Sequence, residues 1–566
     1  MDMDDAYGSN TTTPNEFEEG NSFSVERLRM SLAAMIIIDK LPFCYVEREG
    51  FLEFMATVEP RFPIPDHVTV AKDCIKLYLR EKEELKQMLA GRRVCLTTDR
   101  WTSLQNLDYL CLTAHFIDSD WNHQKKILNL CLVPNHKGET IGKVVESCLL
   151  EWGIDKIFTV TVDNSSSNDV TIDYLRRKGK DSEGSILSRE FLHMRSYTKV
   201  LNLIVQEGLE DLSESIDKIR NAVRYVQSSS TGSEKFKACV EKEKILCETL
   251  VCLDLPTRWN FTYMMLDRAE KFENAFERMK EDDVEYLRQF DDDDGNGIKA
   301  IGPPNHFDWE KVRAFTKLLK VFYGVILRFS GSSFVTFNAY FQELVVIQHY
   351  LRSLCDSGDD PLLREMAESM KRKYDKYWGR VDKINLMLFV AVVLDPQYKF
   401  KYIKFWFKNL YDGEQADDMI AKVRDALDRL FDHYATRASS RGVNEQPSDM
   451  LHSSLSMFNT ERQDSWMMLY EQHLAEENSI EGKSELDHYL SDGNEPIVEN
   501  FDILSWWKVN SSKYPILGQI AQDVLPIPVS TVASEFAFSV GIMSCIILRV
   551  HLRQKSLRPL FVHKIG

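Results

Sequence analysis

A change of apolar period at Arg92 constrains this chain more than any other feature. Before it, between Phe23 and Leu89, apolar residues recur at helical spacing, as at Leu28, Leu32, Met35 and Ile36, and the charged run KLYLREKEELKQML favours helix. After it, RVCLTTD, YLCLTAHFID and KKILNLCLV are rich in β-branched and aromatic residues and are separated by turn residues. They predict three consecutive strands of one sheet. A helix over Thr140–Trp152 stops before Gly153, the apolar strand KIFTVTVD follows, and a second helix starts near Asn168. The resulting order, βββαβα, is an α/β core, and from about residue 205 the pattern stays helical for nearly 280 residues. Two linker-like stretches interrupt it, DDDDGNGIKAIGPPNH and TRASSRGVNEQPSD.

These shifts divide the 566 residues into a disordered acidic tail (1–22), a helical N-terminal domain (23–91), the first part of the core (92–205), a helical insertion and middle region (206–480), a C-terminal segment (481–541) and a short aberrant tail (542–566). A composition that is 44% apolar supports large cores. The longest apolar run, Leu386 to Leu394, is nine residues, whereas a membrane helix needs about 20. No membrane association is expected. The first residues, MDMDDAYGSNTTTPNEF, carry neither the basic start nor the apolar stretch of a secretory signal, so the reading is a nuclear or cytosolic protein that is not secreted.

Eleven cysteines, an odd count with no C-x-x-C pair, argue against a disulfide framework and against a structural zinc site. A net charge of −17 opposes a surface that attracts phosphate everywhere, since DNA affinity comes largely from Lys and Arg displacing counterions. Any contact with DNA must be local. The consecutive aspartates at 291–294 could be offered as a metal site, but beside Gly and Asn they read as a solvated loop.

Asp99 ends the first predicted strand and Asp163 the fourth. Neighbouring parallel strands bring their C-terminal ends to one cleft, where two carboxylates could share divalent cations. By themselves such residues are more often turn or cap residues. Their flanking words change that weighting: LTTDRWTSLQNLDYLCLTAHFID, FTVTVDNSSSNDV, LNLIVQEGL, LPTRWNFTYMML and IPVSTVASEFAFSVG stand in this order between Leu96 and Gly541. Together they resemble the blocks of plant hAT transposases and their domesticated relatives of the RICESLEEPER type.

The resemblance implies an RNase-H-like core interrupted by a large all-α insertion, with a C-terminal dimerisation segment. It implies a DDE triad of Asp99, Asp163 and Glu535, using Mg²⁺ or Mn²⁺ if active, and it places Trp259 near DNA. A buried core indole is an equally good reading of Trp259. The family's Arg-Cys-x-x-His block is here Arg195-Ser196-Tyr197-Thr198-Lys199, which removes the Cys and His, and the family's BED zinc finger finds no matching cysteine spacing.

KFKYIKFWFK interleaves Lys399, Lys401, Lys404 and Lys408 with aromatic rings, a pattern that suits nucleic acid. An amphipathic helix that buries its rings and solvates its lysines is the preferred alternative. KSELDHYL and LSWWKVNSSKYPILGQIAQDVLPIPVS resemble the family's dimerisation region, with Trp506, Trp507, Tyr514 and Leu517 as anchors or as filling for the monomer's own core.

After Gly541 the motif resemblance ends. Family endings read like SLTPKVVEALICTQDW, and codons for 551–566 can be chosen so that the neighbouring frame encodes such words; the tail is therefore expected to be a frame-shift product. Its Arg549, Arg553, Lys555, Arg558 and Lys564 would replace an amphipathic helix and weaken a dimer. The coding DNA tests this directly. The sequence reading is a self-associating, DNA-binding relic with no small-molecule substrate and with strand transfer lost; the rivals are an active transposase and a scaffold that does not contact DNA.

Overall fold

In the computed structural model, the described residues are 24–102, 107–179, 185–210, 212–247, 249–255, 258–291, 302–330, 337–356, 360–379, 384–442, 484–498 and 500–531. The acidic stretch 1–22, Glu535 and the tail 542–566 lie outside them. The chain divides into two compact units, one holding the N-terminal helices and the other beginning at Met88.

In the N-terminal unit, α1 (Val25–Ile38), α2 (Glu49–Val58) and α3 (His67–Leu89) enclose a small core of Leu32, Ile36, Val46, Val70 and Cys74. Ser24 caps α1 by accepting from the Arg27 amide, which satisfies one of the orphan donors of the first turn. Arg29 donates two parallel bonds, 2.9 and 2.8 Å, to the nearly buried carboxylate of Asp73 and ties α1 to α3.

The second unit opens with the expected sheet. Strands β1 (Val94–Thr102), β2 (Asp108–Ile117) and β3 (His123–Leu132) form an antiparallel meander; β4 (Ile157–Val162) and a short β5 (His193–Arg195) continue parallel to β1, giving the order β3-β2-β1-β4-β5. Every residue of β4 is buried, as a central parallel strand requires. Helices α4 (Gly138–Trp152) and α5 (Ser166–Lys178) pack against each other. Their close approach depends on Gly138, where a Cβ would meet the Ser167 carbonyl at 2.3 Å. Gly153 ends α4 in the left-handed region at φ 69°, and the Ile154 amide bonds back to Leu149, the usual way a helix turns into a following strand.

From Tyr197 the chain is helical: α6 (Tyr197–Glu210), α7 (Ser213–Ser228), α8 (Ser230–Lys242), α9 (Trp259–Glu270), α10 (Glu273–Asp282), α11 (Val284–Asp291), α12 (His306–Ser330), α13 (Phe337–Asp356), α14 (Pro361–Trp378), α15 (Met387–Val393), α16 (Lys399–Leu410) and α17 (Gly413–Gly442). Three short helices follow, α18 (Glu485–Ser491), α19 (Ile503–Asn510) and α20 (Pro515–Val524). The nine-residue apolar run becomes α15, and from Met387 to Leu394 no residue is more than 1% exposed. A helix apolar on every side has to be surrounded, and α13, α16, α17 and α20 surround it. None of the helices among the described residues is long and apolar enough to cross a membrane.

The C-terminal segment returns to the sheet. Arg93, at the start of β1, donates to Asp523 at 2.5 Å and to the Tyr434 hydroxyl at 3.1 Å, and Tyr434 donates to the same aspartate. Beyond α20 the Thr161 hydroxyl of β4 donates to the Pro528 carbonyl at 2.9 Å, and the Tyr197 amide donates to Val529.

Candidate functional site at the ends of two parallel strands

Parallel pairing sets Leu96 beside Val160 and Thr97 beside Thr161. Carried on by two residues, that register brings Asp99 beside the residue that follows β4, Asp163. Residues two apart on a strand share a face, so Asp99 lies on the face of Thr97 and Asp163 continues the face of Thr161. That is the face along which Pro528 runs.

Asp99 is 5% exposed, and one of its oxygens accepts from the Arg100 amide at 3.0 Å. The corresponding oxygen of Asp163 accepts from the Ser165 amide at 2.9 Å and the Asn168 side chain at 2.6 Å, which fixes the carboxylate at the entry to α5. Asp163 thus has the turn contacts expected at a strand end, whereas Asp99 does not end its strand: β1 runs on to Thr102, and Asp99 is paired within it to Cys111, so the register sets an in-strand carboxylate beside one that follows β4. Two hard-oxygen donors so placed fit a divalent cation. Glu535, the third expected donor, lies outside the described residues, and among those residues no group of three or more His, Cys, Asp or Glu is placed to hold a metal ion.

Arg100 reaches over the entry to α5 and donates to the Ser165 hydroxyl at 3.0 Å, while His136, beside it, pairs with Asp108 at 2.8 Å. The altered block lies next to this end. Ser196 is fully buried; its hydroxyl meets Thr198 at 3.2 Å, and Thr198 meets Ser530 at 3.0 Å. Ser196, at the position of the family's Cys, thus begins a hydroxyl chain that staples α6 to the returning C-terminal segment, while Lys199 stands at the position of the His.

The other expected site residues separate. Trp259 is 3% exposed at the first position of α9, a buried indole. Lys401, Lys404 and Lys408 lie on the solvent side of α16, with Phe405 59% exposed among them. Lys399, expected among them, does not face solvent: it is 3% exposed, and its ammonium donates to the carbonyls of Tyr489, Asp492 and Gly493 at 2.7, 3.2 and 3.1 Å. It lies 4.5 Å from the centre of the Tyr489 ring. Its backbone takes φ 49°, a left-handed angle rarely adopted by a side chain of this type, and the carbonyl cage holds it there. Burial pulls its ammonium below the ordinary lysine range.

Of the four expected anchors, Trp507, Tyr514 and Leu517 are within the protein's own core, at 0%, 3% and 0% exposure. The Trp507 indole donates to the Leu394 carbonyl at 2.9 Å and stacks on Trp121 at 6.5 Å between ring centres; Tyr489 donates to Val393 at 2.9 Å. These rings close the C-terminal end of α15, whose last carbonyls need partners. Trp506 is half-buried and donates to Glu495 at 3.1 Å.

Comparison with known protein families finds four matching stretches. Residues 97–188 match the ZBED1 RNase-like domain, 194–301 the ZBED1 RNase-like helical domain, 338–434 the hAT-like transposase RNase-H fold, and 485–562 the hAT family C-terminal dimerisation region. The last match runs on past Gly541. Zinc finger BED domain-containing protein RICESLEEPER 1 of Oryza sativa subsp. japonica is 30% identical over 535 residues, covering 92% of this chain and 71% of its own length. RICESLEEPER 4 of the same organism is 30% identical over 542 residues, covering 92% and 77%. A protein of Zea mays described as an AC transposase is 33% identical over 545 residues, covering 94% of this chain; the chain spans 63% of that protein's length.

Proposed function

The chain belongs to the hAT transposase family, and from that premise we propose that it is a nuclear, transposase-derived protein that binds DNA, self-associates and does not transfer strands. The observation that carries the loss of activity is the hydroxyl staple. Ser196 replaces the cysteine of the family block, and its hydroxyl is turned to Thr198, which in turn meets Ser530. DNA contact is supported by the solvent-facing Lys401, Lys404 and Lys408 beside exposed Phe405, a local cationic and aromatic strip on an otherwise acidic chain. Self-association is supported by the dimerisation-region match, with Trp506 the one expected anchor that keeps part of its surface.

A second reading, an active transposase, is favoured by one observation: the parallel register of β1 and β4, carried on from Thr97 and Thr161, sets Asp99 of β1 beside Asp163 just past β4. Divalent cations held there would activate an attacking oxygen and neutralise a leaving one. The chain's own part would be to hold both carboxylates in place, through the amides of Arg100 and Ser165 and the Asn168 side chain.

A salt titration of DNA binding by the purified chain tests the first reading, because each neutralised phosphate contributes about −0.9 to the slope of log K against log salt. A slope near zero removes DNA from the function. Excision of a terminal-repeat substrate with Mg²⁺ or Mn²⁺, abolished by Asp163→Asn, would establish the second reading instead. Light scattering that finds a strict monomer would end the self-association claim.

A further inference from the structure

A cavity of about 470 Å³ opens at the outer edge of β5, within the ~300–1,000 Å³ range of small-ligand sites. Arg195 and Lys376 stand at its mouth, and Tyr340, Tyr377 and Trp378 line it. Tyr340 and Trp378 are 5% and 7% exposed and form a fixed floor; Trp378 is backed by Tyr197 at 5.3 Å between ring centres and by Tyr374 at 5.0 Å. Tyr377 is only half-buried and forms an accessible wall, with the Lys376 ammonium 5.8 Å from its ring centre.

The cavity is tied to the carboxylate end of the sheet. Arg195 pairs with Val162, the residue before Asp163, and its guanidinium donates to Asn164 at 3.4 Å. Asp169 is the acidic group nearest this corner, 3.9 Å from Arg195 and 4.0 Å from His193. His193 lines the inner wall; burial first, and then Arg195, push its imidazole down to about 4, so it is neutral near pH 7 and adds no third cation. Asn385 holds the rim in place by donating to the carbonyls of Phe191 and His193 at 2.8 and 2.9 Å.

Two cations at the mouth of a ring-lined cavity match a planar base with an attached phosphate. We propose that this cavity takes one nucleotide unit of a DNA strand, its phosphate at Arg195 and Lys376 and its base against Tyr377 above the Tyr340 and Trp378 floor. The proposal rests on the DNA-binding reading and gives it a location one residue from Asp163. Stacking on aromatic rings tolerates any base, so the site is expected to hold a strand without choosing its sequence.

The test is fluorescence anisotropy of the full chain with a labelled single-stranded oligodeoxynucleotide, with free dAMP titrated in parallel. Tyr377→Ala and Arg195→Gln should each weaken oligonucleotide binding about tenfold or more. Tyr377→Phe should restore it, and Arg195→Gln should also reduce the salt slope by about one. The exposed change Lys376→Glu should weaken binding without touching the core, and it carries the test if Tyr377→Ala proves unstable. Salt-dependent oligonucleotide binding that all four variants leave unchanged overturns the cavity and leaves the DNA reading intact. Binding of dAMP, lost in Tyr377→Ala, without any oligonucleotide binding removes the DNA reading and keeps the cavity as a mononucleotide site. Binding of neither probe overturns both.

Discussion

The parallel pair β1 and β4 that carries Asp99 and leads to Asp163 and the ring cluster that carries Trp507 and Tyr514 were both marked by motif, yet the fold treats them in opposite ways. On the strand pair, polar side chains are positioned by backbone amides, and Asp163 is still half-exposed at the entry to α5. At the ring cluster, the motif side chains fill the protein's own core and partner the last carbonyls of α15. A family motif identifies residues under constraint. It does not say whether the constraint comes from chemistry or from packing, and hydrogen-bond partners separate the two.

The largest effect is expected at the ring cluster. Trp507→Ala should destabilise the folded chain by about 3–5 kcal/mol, since it removes a fully buried indole and its bond to Leu394. Urea unfolding followed by circular dichroism reads this. Unchanged stability with a lost dimer would return Trp507 to an interface and break the contrast. Trp506→Ala, at a half-buried position, should cost only about 1 kcal/mol by the general distribution of such changes, so it is the variant whose self-association can be measured in a folded protein.

Lys399→Met comes next. Leaving the Tyr489, Asp492 and Gly493 carbonyls without their donor should cost about 2–3 kcal/mol. By contrast, the exposed Lys404→Ala should leave stability within about 0.5 kcal/mol while lowering the DNA-binding salt slope by about one. Equal effects of the two changes on DNA binding would contradict the separation of these lysines.

The smallest effect concerns Glu485, whose carboxylate accepts from the Ile516 and Leu517 amides at the start of α20. Burial raises its carboxyl above the ordinary 4.5. The folded chain then holds a proton that the unfolded chain has released, so the site's contribution to stability is full below the unfolded value and is lost as pH rises through the folded one. Glu485→Gln keeps an acceptor for the amides and should flatten that part of the pH profile in thermal melts. A profile identical to wild type would show that the group does not titrate in this window.

Much of the architecture was legible because it depends on local period. The four longer strands, α4 with its stop at Gly153, and the buried run at α15 each follow from residues adjacent in sequence. That β1 and β4 are parallel neighbours was also readable, but the strand's extent was not: β1 runs past Asp99 to Thr102, because the antiparallel partner β2 continues the pairing to Asp108. β5 was not: three residues carry no period, and its edge is completed by Asn385 from far along the chain. Lys399 was unreadable for the same kind of reason. KFKYIKFWFK looks alike for a buried and an exposed lysine, and the carbonyls that decide between them come ninety residues later, around Tyr489. The cavity at β5 left no signal either, because Arg195 comes to line one cavity with Lys376 and Tyr377 only through the fold, from positions about 180 residues apart in sequence.

The bond from Arg93 to Asp523 joins residues 430 apart in sequence, and that from Thr161 to Pro528 joins residues 367 apart. The last strand of the sheet ends at Arg195, 328 residues before Asp523, and a ribosome working at ~5–20 residues per second needs roughly 16–66 seconds to span that interval. For that time the sheet has emerged while the segment that covers one of its faces does not yet exist. The nascent chain is therefore expected to need a holding chaperone during synthesis, and translation slowed between these positions should lower its soluble yield.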